Sequence, residues 1–597
     1  MAISDRLDAF RKRMQEKSID IMIVPTADPH HSEYLAEYYK TRVWLSGFTG
    51  SAGTMVVTAE DAVLFTDGRY FIQAEQQLAG SGISLMRMRT AGVPTLEEYV
   101  EGKCRGGIRI GVDFALLSRK QMQCWQACWS AKSAVLTDSG DLFDGLWQDR
   151  PELMVRPVCV MPDEIAGESV TDKLNRIRDK MAEKQATVHI ISVLDEIAWT
   201  LNVRGEDVAN TPVVISYLIV RNGDALWFVD ERKVSTEVRT ALKAAGVAVH
   251  PYEAVFETIR QMAEHECFLL DPEHTTARIY AEIENGRIVE SGDPVNAMKC
   301  IRNAREIEGL RHCHDQDGAA VTRFMYWLKN TADRSELTEI SASEKLASFR
   351  EMQPGYTMPS FDTICAYGPN AAMMHYKATE SSNASIESAG FLLIDSGGQY
   401  VDGTTDITRT FVMGPVTDEQ RQHFTAVLRS VIRLASARFL SGMPGKGLDV
   451  LARGPIWDLG IDYRCGTGHG IGFRLNVHEG PNSFRWHESA SRGEEAAIVP
   501  GMVTTDEPGI YLEGKYGIRT ENELLCRVRE TNEYGTFLEF ETITMAPIDL
   551  DGVDPAAMSA SEREWLNEYH AEVRRRIMPY MKTNDEREWL ARATRSI

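Results

Sequence analysis

Two aspartates in the segment FLLIDSGGQYVDGTTDITRT, residues 391–410, are the first candidates for chemistry. Asp395 and Asp406 lie eleven residues apart in a stretch that otherwise predicts β-strand, although strands rarely contain Asp. An apolar run ends at Asp395, β-branched residues surround Asp406, and the turn-forming VDG lies between them, which predicts a hairpin. A turn centred between Tyr400 and Val401 would set the two aspartates opposite each other, so that both carboxylates address one point.

Three other segments supply side chains of the same chemical kind. GTGHGIG contains His469 among glycines, where backbone can approach closely. TTDEPGIY contains Glu507 and YGIRTENELL contains Glu521, fourteen residues later, which is a second hairpin distance. Carboxylates held close together repel, and one of them takes up a proton unless a cation lies between them.

The charge of this set indicates which cation would suit it. Four ionised carboxylates carry −4, and two divalent ions would neutralise them. Oxygen ligands with a single imidazole suit Mn²⁺, Co²⁺ or Zn²⁺, and two such ions can share a water and make it a hydroxide near neutral pH. Each residue alone has a structural alternative: Asp406 as a turn residue, Glu521 as a strand charge paired with Arg519, His469 as a core histidine.

The N-terminal half of the chain, which precedes these residues, contains an internal sequence repeat. RLDAFRKRMQEKSIDIMIV, from Arg6, and KLNRIRDKMAEKQATVHII, from Lys173, share apolar residues at helical spacing that lead into a strand. AVLFTDGR and ALWFVDER repeat the similarity at nearly the same offset. A duplicated α/β domain explains both pairs; two unrelated helix–strand units are the alternative.

The second half of the chain predicts a long helix, a mixed region and a helical tail. The helix spans REIEGLRHCHDQDGAAVTRFMYWLKNTA. Thr417 and Gln420 form a capping box ahead of an amphipathic helix, and Ser561 and Glu564 form another in the tail. One face of the tail helix comprises Trp565, Tyr569, Val573 and Ile577.

Composition excludes several classes of partner. The 597 residues suffice for about three to four domains. A net charge of −22 disfavours nucleic acid and anionic membranes. No apolar run of about eighteen residues predicts a membrane span, and the N-terminal segment lacks the apolar core of a signal peptide. With ten scattered cysteines and no CxxC pair, we expect reduced thiols and a cytoplasmic location.

Several short segments together resemble the pita-bread metallopeptidases, which include methionine aminopeptidase, prolidase and aminopeptidase P. They are SGFTGSAGT (46–54), TDGRYF (66–71), LDEIAW (194–199), MMHY (373–376), DSGGQYVDGTTDITRT (395–410), GTGHGIG (466–472), NVHEGP (476–481), DEPG (506–509), GIRTEN (517–522) and WLNEYH (565–570). The chain is most similar to the three-domain, cytosolic aminopeptidase P type, over almost its whole length.

The resemblance implies an α/β (α+β) fold in four parts. Two duplicated creatinase-like N-terminal α/β domains would occupy residues 1–160 and 161–300, a pita-bread catalytic domain 301–545, and a C-terminal helical extension 546–597. It also implies a homodimer.

The resemblance further implies roles for individual residues. The metal ligands would be Asp395, Asp406, His469, Glu507 and Glu521, holding two divalent ions, with manganese the family's usual metal. Four residues would touch substrate besides the base Glu507: His375, His469, His478 and Arg69. His375 and His478 would steady the charge on the scissile carbonyl, and Arg519 would orient a ligand carboxylate. Structural roles remain the alternative for both histidines, as does an ion pair with Asp67 for Arg69.

The implied activity is hydrolysis of the bond between an N-terminal residue and a penultimate proline (X-Pro) in peptides, by a metal-bridged hydroxide with Glu507 moving the proton. The nearest alternative is a prolidase, which cleaves only dipeptides ending in proline; the duplicated N-terminal half and the tail favour aminopeptidase P. A catalytically silent binding protein of the same fold is the other alternative, against which all five ligands argue.

One departure from the family pattern concerns the substrate pocket. The family usually has histidine four residues before the metal-binding histidine, where this chain has Cys465. A small buried filler is a better interpretation of this residue than a nucleophile.

Three other enzyme signatures are weaker. DSGG at 395–398 resembles the nucleophile loop of chymotrypsin-like proteases, but the surrounding chain is too helical. GTGHGIG departs from the dinucleotide-binding pattern G-x-G-x-x-G. The zinc-binding motif HExxH is absent: His487 and Glu488 match its first two positions, but its fifth position is Ser491 instead of histidine.

Overall fold

A computed structural model describes residues 1–331, 335–486 and 496–597. His487, Glu488 and Ser491 lie outside the described residues. The chain divides into two compact units, Met1–Asp163 with Glu168–Val295, and Glu164–Gly167 with Asn296–Ile597. Among the helices of the described ranges, none combines the length and apolar character needed to cross a membrane.

The first part of the N-terminal unit is a mixed sheet with helices. Its strands are β1 (Ile21–Pro25), β2 (Thr54–Thr58), β3 (Ala62–Thr66), β4 (Ser84–Arg87), β5 (Arg109–Val112) and β6 (Val135–Asp138). Its helices are α1 (Ile3–Glu16), α2 (Thr41–Ser46), α3 (Phe71–Leu78), α4 (Leu96–Lys103) and α5 (Arg119–Ser130). The strand order is β4-β3-β2-β1-β5-β6, with β1 antiparallel to β2 and parallel to β5.

The second part of this unit repeats the arrangement. Its strands are β7 (Cys159–Val160), β8 (Val188–Ile191), β9 (Val203–Arg204), β10 (Ser216–Arg221), β11 (Ala225–Val229), β12 (Val247–Pro251), β13 (Cys267–Leu270) and β14 (Arg287–Glu290). The helices are α7 (Val170–Glu183), α8 (Leu194–Thr200), α9 (Thr236–Ala244), α10 (Val255–Met262) and α11 (Ala277–Glu282). Two short helices, α6 (Asp163–Ala166) and α12 (Pro294–Lys299), begin in this unit and end in residues of the second unit. The strand order β12-β11-β10-β8-β13-β14 matches the first sheet strand for strand.

The predicted duplication is therefore confirmed, and its cause is visible in the leading helices. α1 buries Leu7, Phe10 and Met14, and α7 buries their counterparts at 174, 177 and 181. Each such side chain contributes about 1.5–3 kcal/mol when it leaves water. The same apolar spacing therefore docks each helix on its own sheet.

The second unit holds several small sheets around a large apolar core. Its strands are β15 (Tyr356–Pro359), β16 (Ile364–Tyr367), β17 (Phe391–Ser396), β18 (Gly398–Tyr400), β19 (Gly403–Thr404), β20 (Ile407–Val412), β21 (Arg438–Leu440), β22 (Gly468–Gly470), β23 (Glu479–Phe484), β24 (Val503–Asp506), β25 (Gly509–Leu512), β26 (Tyr516–Arg519), β27 (Asn522–Asn532) and β28 (Gly535–Thr542). The helices are α13 (Ala304–Asn330), α14 (Glu339–Glu351), α15 (Asp418–Ala435), α16 (Gly445–Trp457), α17 (Ala560–Ile577) and α18 (Asn584–Ala593).

The sheets of this unit bring distant segments together. Their orders are β15-β18-β19, β16-β17-β20, β21-β28-β27-β24-β22-β23 and β25-β26. The core that joins them draws on α13, α15 and the tail helices α17 and α18. The tail is thus packed into the unit.

Two of the three helix predictions hold in detail. The long helix is α13, and Thr417 with Gln420 forms the capping box of α15. The predicted start of α17 is wrong by two residues, because Ser559 and Glu562 form its capping box. The sequence offers two such pairs; Glu562 is selected because it also lies 3.1 Å from Arg429 Nε and is buried there.

His570 in α17 predicts an acid-sensitive fold. Its ring is buried, and its Nε2 accepts a hydrogen bond from the Ile548 N–H at 3.1 Å. Burial, with Arg409 and other nearby guanidinium groups, lowers the pKa of His570 from 6.5 to about 3. The unfolded chain takes up this proton near pH 6.5 and the folded chain does not, so the free energy of unfolding should fall as the pH decreases from about 6.5 towards 3.

Urea titrations at about pH 7 and pH 5 measure this effect. In His570→Gln the loss of stability between the two pH values should be smaller than in the wild type. An equal loss in both proteins would show that His570 does not contribute.

Candidate metal centre

The two aspartates lie on neighbouring strands, but not in the predicted register. β17 pairs antiparallel with β20, and Asp395 lies opposite Thr408. The prediction that Asp395 faces Asp406 directly is wrong, because Val401 and Asp402 form the turn, one residue later than expected. A shift of two residues in pairing leaves side chains on the same face of a sheet. Asp406 is therefore a diagonal neighbour of Asp395.

A glycine allows the hairpin to narrow beside Asp406. A Cβ at Gly397 would lie 1.9 Å from the Thr405 carbonyl oxygen and 2.2 Å from Ser360 Oγ. Only glycine permits this approach. Asp406 follows in the break between β19 and β20, where its N–H donates to Glu523 Oε1 at 2.8 Å.

The two glutamates face each other as predicted. Asp506 pairs with Asn522 between β24 and β27, and Gly509 pairs with Arg519 between β25 and β26. The pairing of β24 with β27 and that of β25 with β26 follow the same antiparallel register. Glu507 and Glu521, which lie between these two pairs of strands, are therefore opposite each other. Hydrogen bonds to neighbouring segments fix both backbones: Glu507 N–H donates to Thr467 O at 2.8 Å, and Glu521 N–H to Thr408 O at 3.1 Å.

His469 in β22 presents one ring nitrogen to the carboxylates. Its N–H donates to Thr505 Oγ1 at 3.0 Å, and its Nδ1 lies 2.9 Å from the Gly470 carbonyl oxygen. Nδ1 carries a proton in that hydrogen bond, so Nε2 is the ring nitrogen that can act as a metal ligand. Nε2 lies 3.6 Å from Asp406 Oδ2 and 3.4 Å from Glu507 Oε1.

Burial makes this carboxylate group unfavourable without a cation. Ligand atoms of Asp406, His469 and Glu521 lie within 4.8 Å of one another. Burial, then the charges of the neighbouring carboxylates, raise the pKa values of Asp406 and Glu521 well above the ordinary range. Burial also raises the pKa of Glu507, although Arg519 opposes the change.

Two buried carboxylate oxygen atoms indicate that the carboxylate cluster suits a metal ion. Oδ1 of Asp395 and Oδ1 of Asp406 are both buried, and neither has a hydrogen-bond partner among the described residues. Unpaired buried acceptors are costly unless a cation satisfies them. Carboxylate oxygens with one imidazole nitrogen suit a divalent metal. Asp406, His469 and Glu521 thus form a donor set that fits such an ion, with Glu507 Oε1 3.4 Å from His469 Nε2 and Asp395 a diagonal neighbour of Asp406.

Arg519 lies beside the predicted ligands and contacts one of them. Its Nη2 donates to Asp395 Oδ2 at 2.5 Å, its Nε to Thr408 Oγ1 at 3.0 Å and its Nη1 to the Tyr511 hydroxyl at 2.7 Å. The carboxylate paired with Arg519 is thus Asp395, and Glu521 instead accepts from Thr408 Oγ1 at 2.8 Å.

Glu523 and His314, which adjoin the donor set, were not predicted from the sequence. Glu523 is fully buried; its Oε1 accepts the Asp406 N–H and lies 3.1 Å from His314 Nε2. The spacing offered a signal, because residues two apart on a strand share a face and Glu523 lies two after Glu521. His314 gave none, since it comes from α13, more than eighty residues earlier in the chain than any of the predicted ligands.

The two predicted substrate histidines lie in loops of the same unit. The His478 ring is 4.3 Å from the His469 ring and nearly perpendicular to it. His375 is partly buried and follows the 3₁₀ turn Gly368–Ala372. That turn packs on β26, where a Cβ at Gly517 would lie 1.8 Å from Ala371 O. His478 therefore adjoins the donor set, and the His375 loop is anchored to the strand that leads to Glu521.

Arg69 lies in the other unit, ahead of α3. Its Nε and Nη2 each lie 2.8 Å from a carboxylate oxygen of Asp67. The ion pair that the sequence offered as the alternative for Arg69 is thus present.

Cys465 is held beside the site by its backbone. Its carbonyl oxygen accepts from Arg453 Nη2 at 2.8 Å. Burial, then the Glu507 carboxylate, raise the pKa of the thiol to about 11. A thiol with so little thiolate is a poor nucleophile, which agrees with the prediction of a filler.

We expect Cys465 to resist alkylation. At about pH 8, iodoacetamide should label it roughly a hundredfold more slowly than an ordinary exposed thiol, because the thiolate fraction is that much smaller. Cys124 and Cys128, both exposed, serve as internal references. Peptide mass spectrometry over a time course measures the rates, and equal labelling of Cys465 and Cys128 would contradict the expectation.

Four family models match successive parts of the chain. Two describe creatinase/prolidase N-terminal domains, at residues 6–146 and 149–306. A third describes metallopeptidase family M24, at 308–527, and a fourth the C-terminal region of M24 peptidases, at 536–597.

Full-length relatives narrow the assignment. Aminopeptidase P2 of Arabidopsis thaliana is 38 % identical over all of this chain and 89 % of its own length. A probable Xaa-Pro aminopeptidase P of Aspergillus flavus is 39 % identical over all of this chain and 93 % of its own. The chain belongs to the aminopeptidase P family of M24 metallopeptidases.

A solved aminopeptidase P structure supports the same assignment. The X-prolyl aminopeptidase of Caenorhabditis elegans, described as a cytosolic enzyme with a di-nuclear active site, matches with a TM-score of 0.95 and 33 % identity over all of both chains. The predicted resemblance and fold class are thereby confirmed, and the chymotrypsin-like and dinucleotide-binding alternatives are wrong. The boundaries at 160, 300 and 545 stay predictions.

Proposed function

We propose that this protein is an X-Pro aminopeptidase that uses two divalent metal ions, held by Asp395, Asp406, His469, Glu507 and Glu521. The observation that carries the proposal is the pair of buried Oδ1 atoms of Asp395 and Asp406, which have no hydrogen-bond partner among the described residues and belong to a group of mutually repelling carboxylates. The names of the relatives support the substrate class, and the di-nuclear site of the Caenorhabditis elegans enzyme supports the number of ions.

The bound ions would supply a nucleophile, by lowering the pKa of a water towards neutrality, and would polarise the scissile carbonyl. Glu507 suits proton transfer, because its side chain is the most exposed of the Asp406, His469 and Glu507 set, at 21 %, and its pKa is raised. It would take the proton of the attacking water and pass it to the leaving proline nitrogen.

The remaining groups would bind and orient the peptide. His478, beside His469, and His375 would donate to the oxygen that becomes negative as the carbonyl is attacked. A proline amide nitrogen carries no hydrogen, so the pocket must recognise the ring by its shape. By the family resemblance, Arg69 would contact the bound peptide.

Metal analysis with two peptides tests this function. The purified protein, offered Mn²⁺, should hold the ion and release arginine from Arg-Pro-Pro, while Gly-Pro should be cleaved slowly or not at all. Cleavage of Gly-Pro alone would make the protein a prolidase. Metal binding without cleavage of either peptide would make it a binding protein.

Four finer features belong to the same proposal. We infer manganese as the metal from the family resemblance, although the donor set also suits cobalt or zinc. A cytoplasmic location is supported by the description of the Caenorhabditis elegans enzyme as cytosolic. A homodimer and domain boundaries near 160, 300 and 545 rest on the resemblance. Metal analysis tests the identity of the metal, light scattering tests the homodimer, and limited proteolysis tests the domain boundaries.

A further inference from the structure

Arg409 in β20 is a buried cation held mainly by neutral groups. Its side chain is 3 % exposed, and in the described part of the chain its guanidinium forms no ion pair with a carboxylate. Its hydrogen bonds go to the carbonyl oxygens of Thr408, Glu521, Ala546 and Pro547, to Asn522 Oδ1 and to the Tyr569 hydroxyl. Burying such a charge costs several kcal/mol unless its donors are satisfied.

The shortest of these bonds reaches a predicted metal ligand. Arg409 Nη1 donates to the Glu521 carbonyl oxygen at 2.6 Å, and Nη2 donates to Asn522 Oδ1 at 2.9 Å. Glu521 is also held through its N–H by the carbonyl of Thr408, the residue before Arg409. The backbone of Glu521 is therefore clamped from β20 on both its N–H and its C=O.

The tail of the chain completes this clamp. The Tyr569 hydroxyl, from α17, accepts from Arg409 Nη2 at 2.9 Å and donates to the Ala546 carbonyl oxygen at 2.8 Å. Ala546 and Pro547, in the segment that leads into the tail, accept from Arg409 at 3.0 Å and 3.1 Å. Three of the acceptors that satisfy the buried cation thus lie after β28.

We propose that Arg409 and Tyr569 are positioning residues for the metal centre, and that the C-terminal helical extension is part of the machinery that fixes Glu521. The inference rests on the proposed metal centre and deepens it. The guanidinium holds the Glu521 backbone through the hydrogen bond from Nη1 to the Glu521 carbonyl oxygen. Tyr569 helps to hold the guanidinium by accepting from Nη2, which also donates to Asn522 Oδ1 and to the Ala546 carbonyl oxygen, and by linking it to α17.

Calorimetric titration of the metal-free, full-length protein with Mn²⁺ tests this role. Tyr569→Phe removes one oxygen, and Arg409→Lys keeps the charge but loses the planar fork. Each should weaken Mn²⁺ binding about tenfold or more, as loss of groups that orient metal ligands typically does. Val573→Ala, in the same helix and fully buried, is the matched control; it should lower the unfolding temperature and leave the affinity unchanged.

The outcomes separate this inference from the proposed function. If the wild type binds no Mn²⁺, Co²⁺ or Zn²⁺, the metal centre itself is wrong. If the wild type binds and both variants bind equally well, or if Val573→Ala loses as much affinity as Tyr569→Phe, the positioning role is overturned. Should one variant not fold, the other decides by the same comparison with Val573→Ala.

Discussion

Asp406→Ala is expected to abolish metal binding and peptidase activity while most of the fold remains. Asp406 belongs to the tight group with His469 and Glu521, and its buried Oδ1 has no hydrogen-bond partner in the part of the chain that the structure describes. Losing the metal's stabilisation of the transition state, several kcal/mol, lowers activity by at least about a thousandfold. The apoprotein should be no less stable than the wild-type apoprotein, because one of several repelling carboxylates is gone.

Metal content, activity on Arg-Pro-Pro and far-ultraviolet circular dichroism measure these effects together. Asp402→Ala is the matched control, since Asp402 lies in the turn of the same hairpin and its Oδ2 contacts His312 Nδ1 at 2.6 Å. It should keep both metal and activity. Activity retained by Asp406→Ala in metal-replete buffer would count against the site.

His478→Ala is expected to separate turnover from metal content. The His478 ring lies 4.3 Å from His469, where it can donate to the carbonyl oxygen as charge develops. Removing one such donor typically lowers kcat by about 10²–10³-fold. Metal content should stay at the wild-type level, because all five proposed ligands remain.

Steady-state kinetics and metal analysis on the same preparation measure this separation. His312→Ala controls for loss of an imidazole, because His312 lies exposed on α13 and contacts Asp402. It should leave both quantities unchanged. An equal loss of metal and turnover in His478→Ala would instead make His478 a structural residue.

The sequence identified the candidate ligands by residue type and spacing, and the family resemblance assigned them to one donor set. Carboxylates in strand segments are chemically out of place, so Asp395, Asp406 and Glu521 stood out without any coordinates. The distance of fourteen residues between the two glutamates gave their pairing correctly. The reason is that β25 and β26, which lie between them, form a regular antiparallel hairpin with no bulge to shift the register. The repeat of Leu7, Phe10 and Met14 at the start of α7 likewise revealed the duplication, since helical spacing is a local property.

Tertiary structure decided the features that depend on contacts between distant segments. The hairpin of Asp395 and Asp406 turns one residue later than predicted, in a segment that Thr405 and Ser360 press against Gly397. The cap of α17 is Ser559 because Glu562 meets Arg429 on another helix. Glu523 with His314, and Arg409 with Tyr569, join segments more than one hundred residues apart. Local sequence fixes which side chains can carry charge and which face of a strand or helix they share; which buried charges meet depends on the folding of remote strands and helices around one core, and that information lies in the packing.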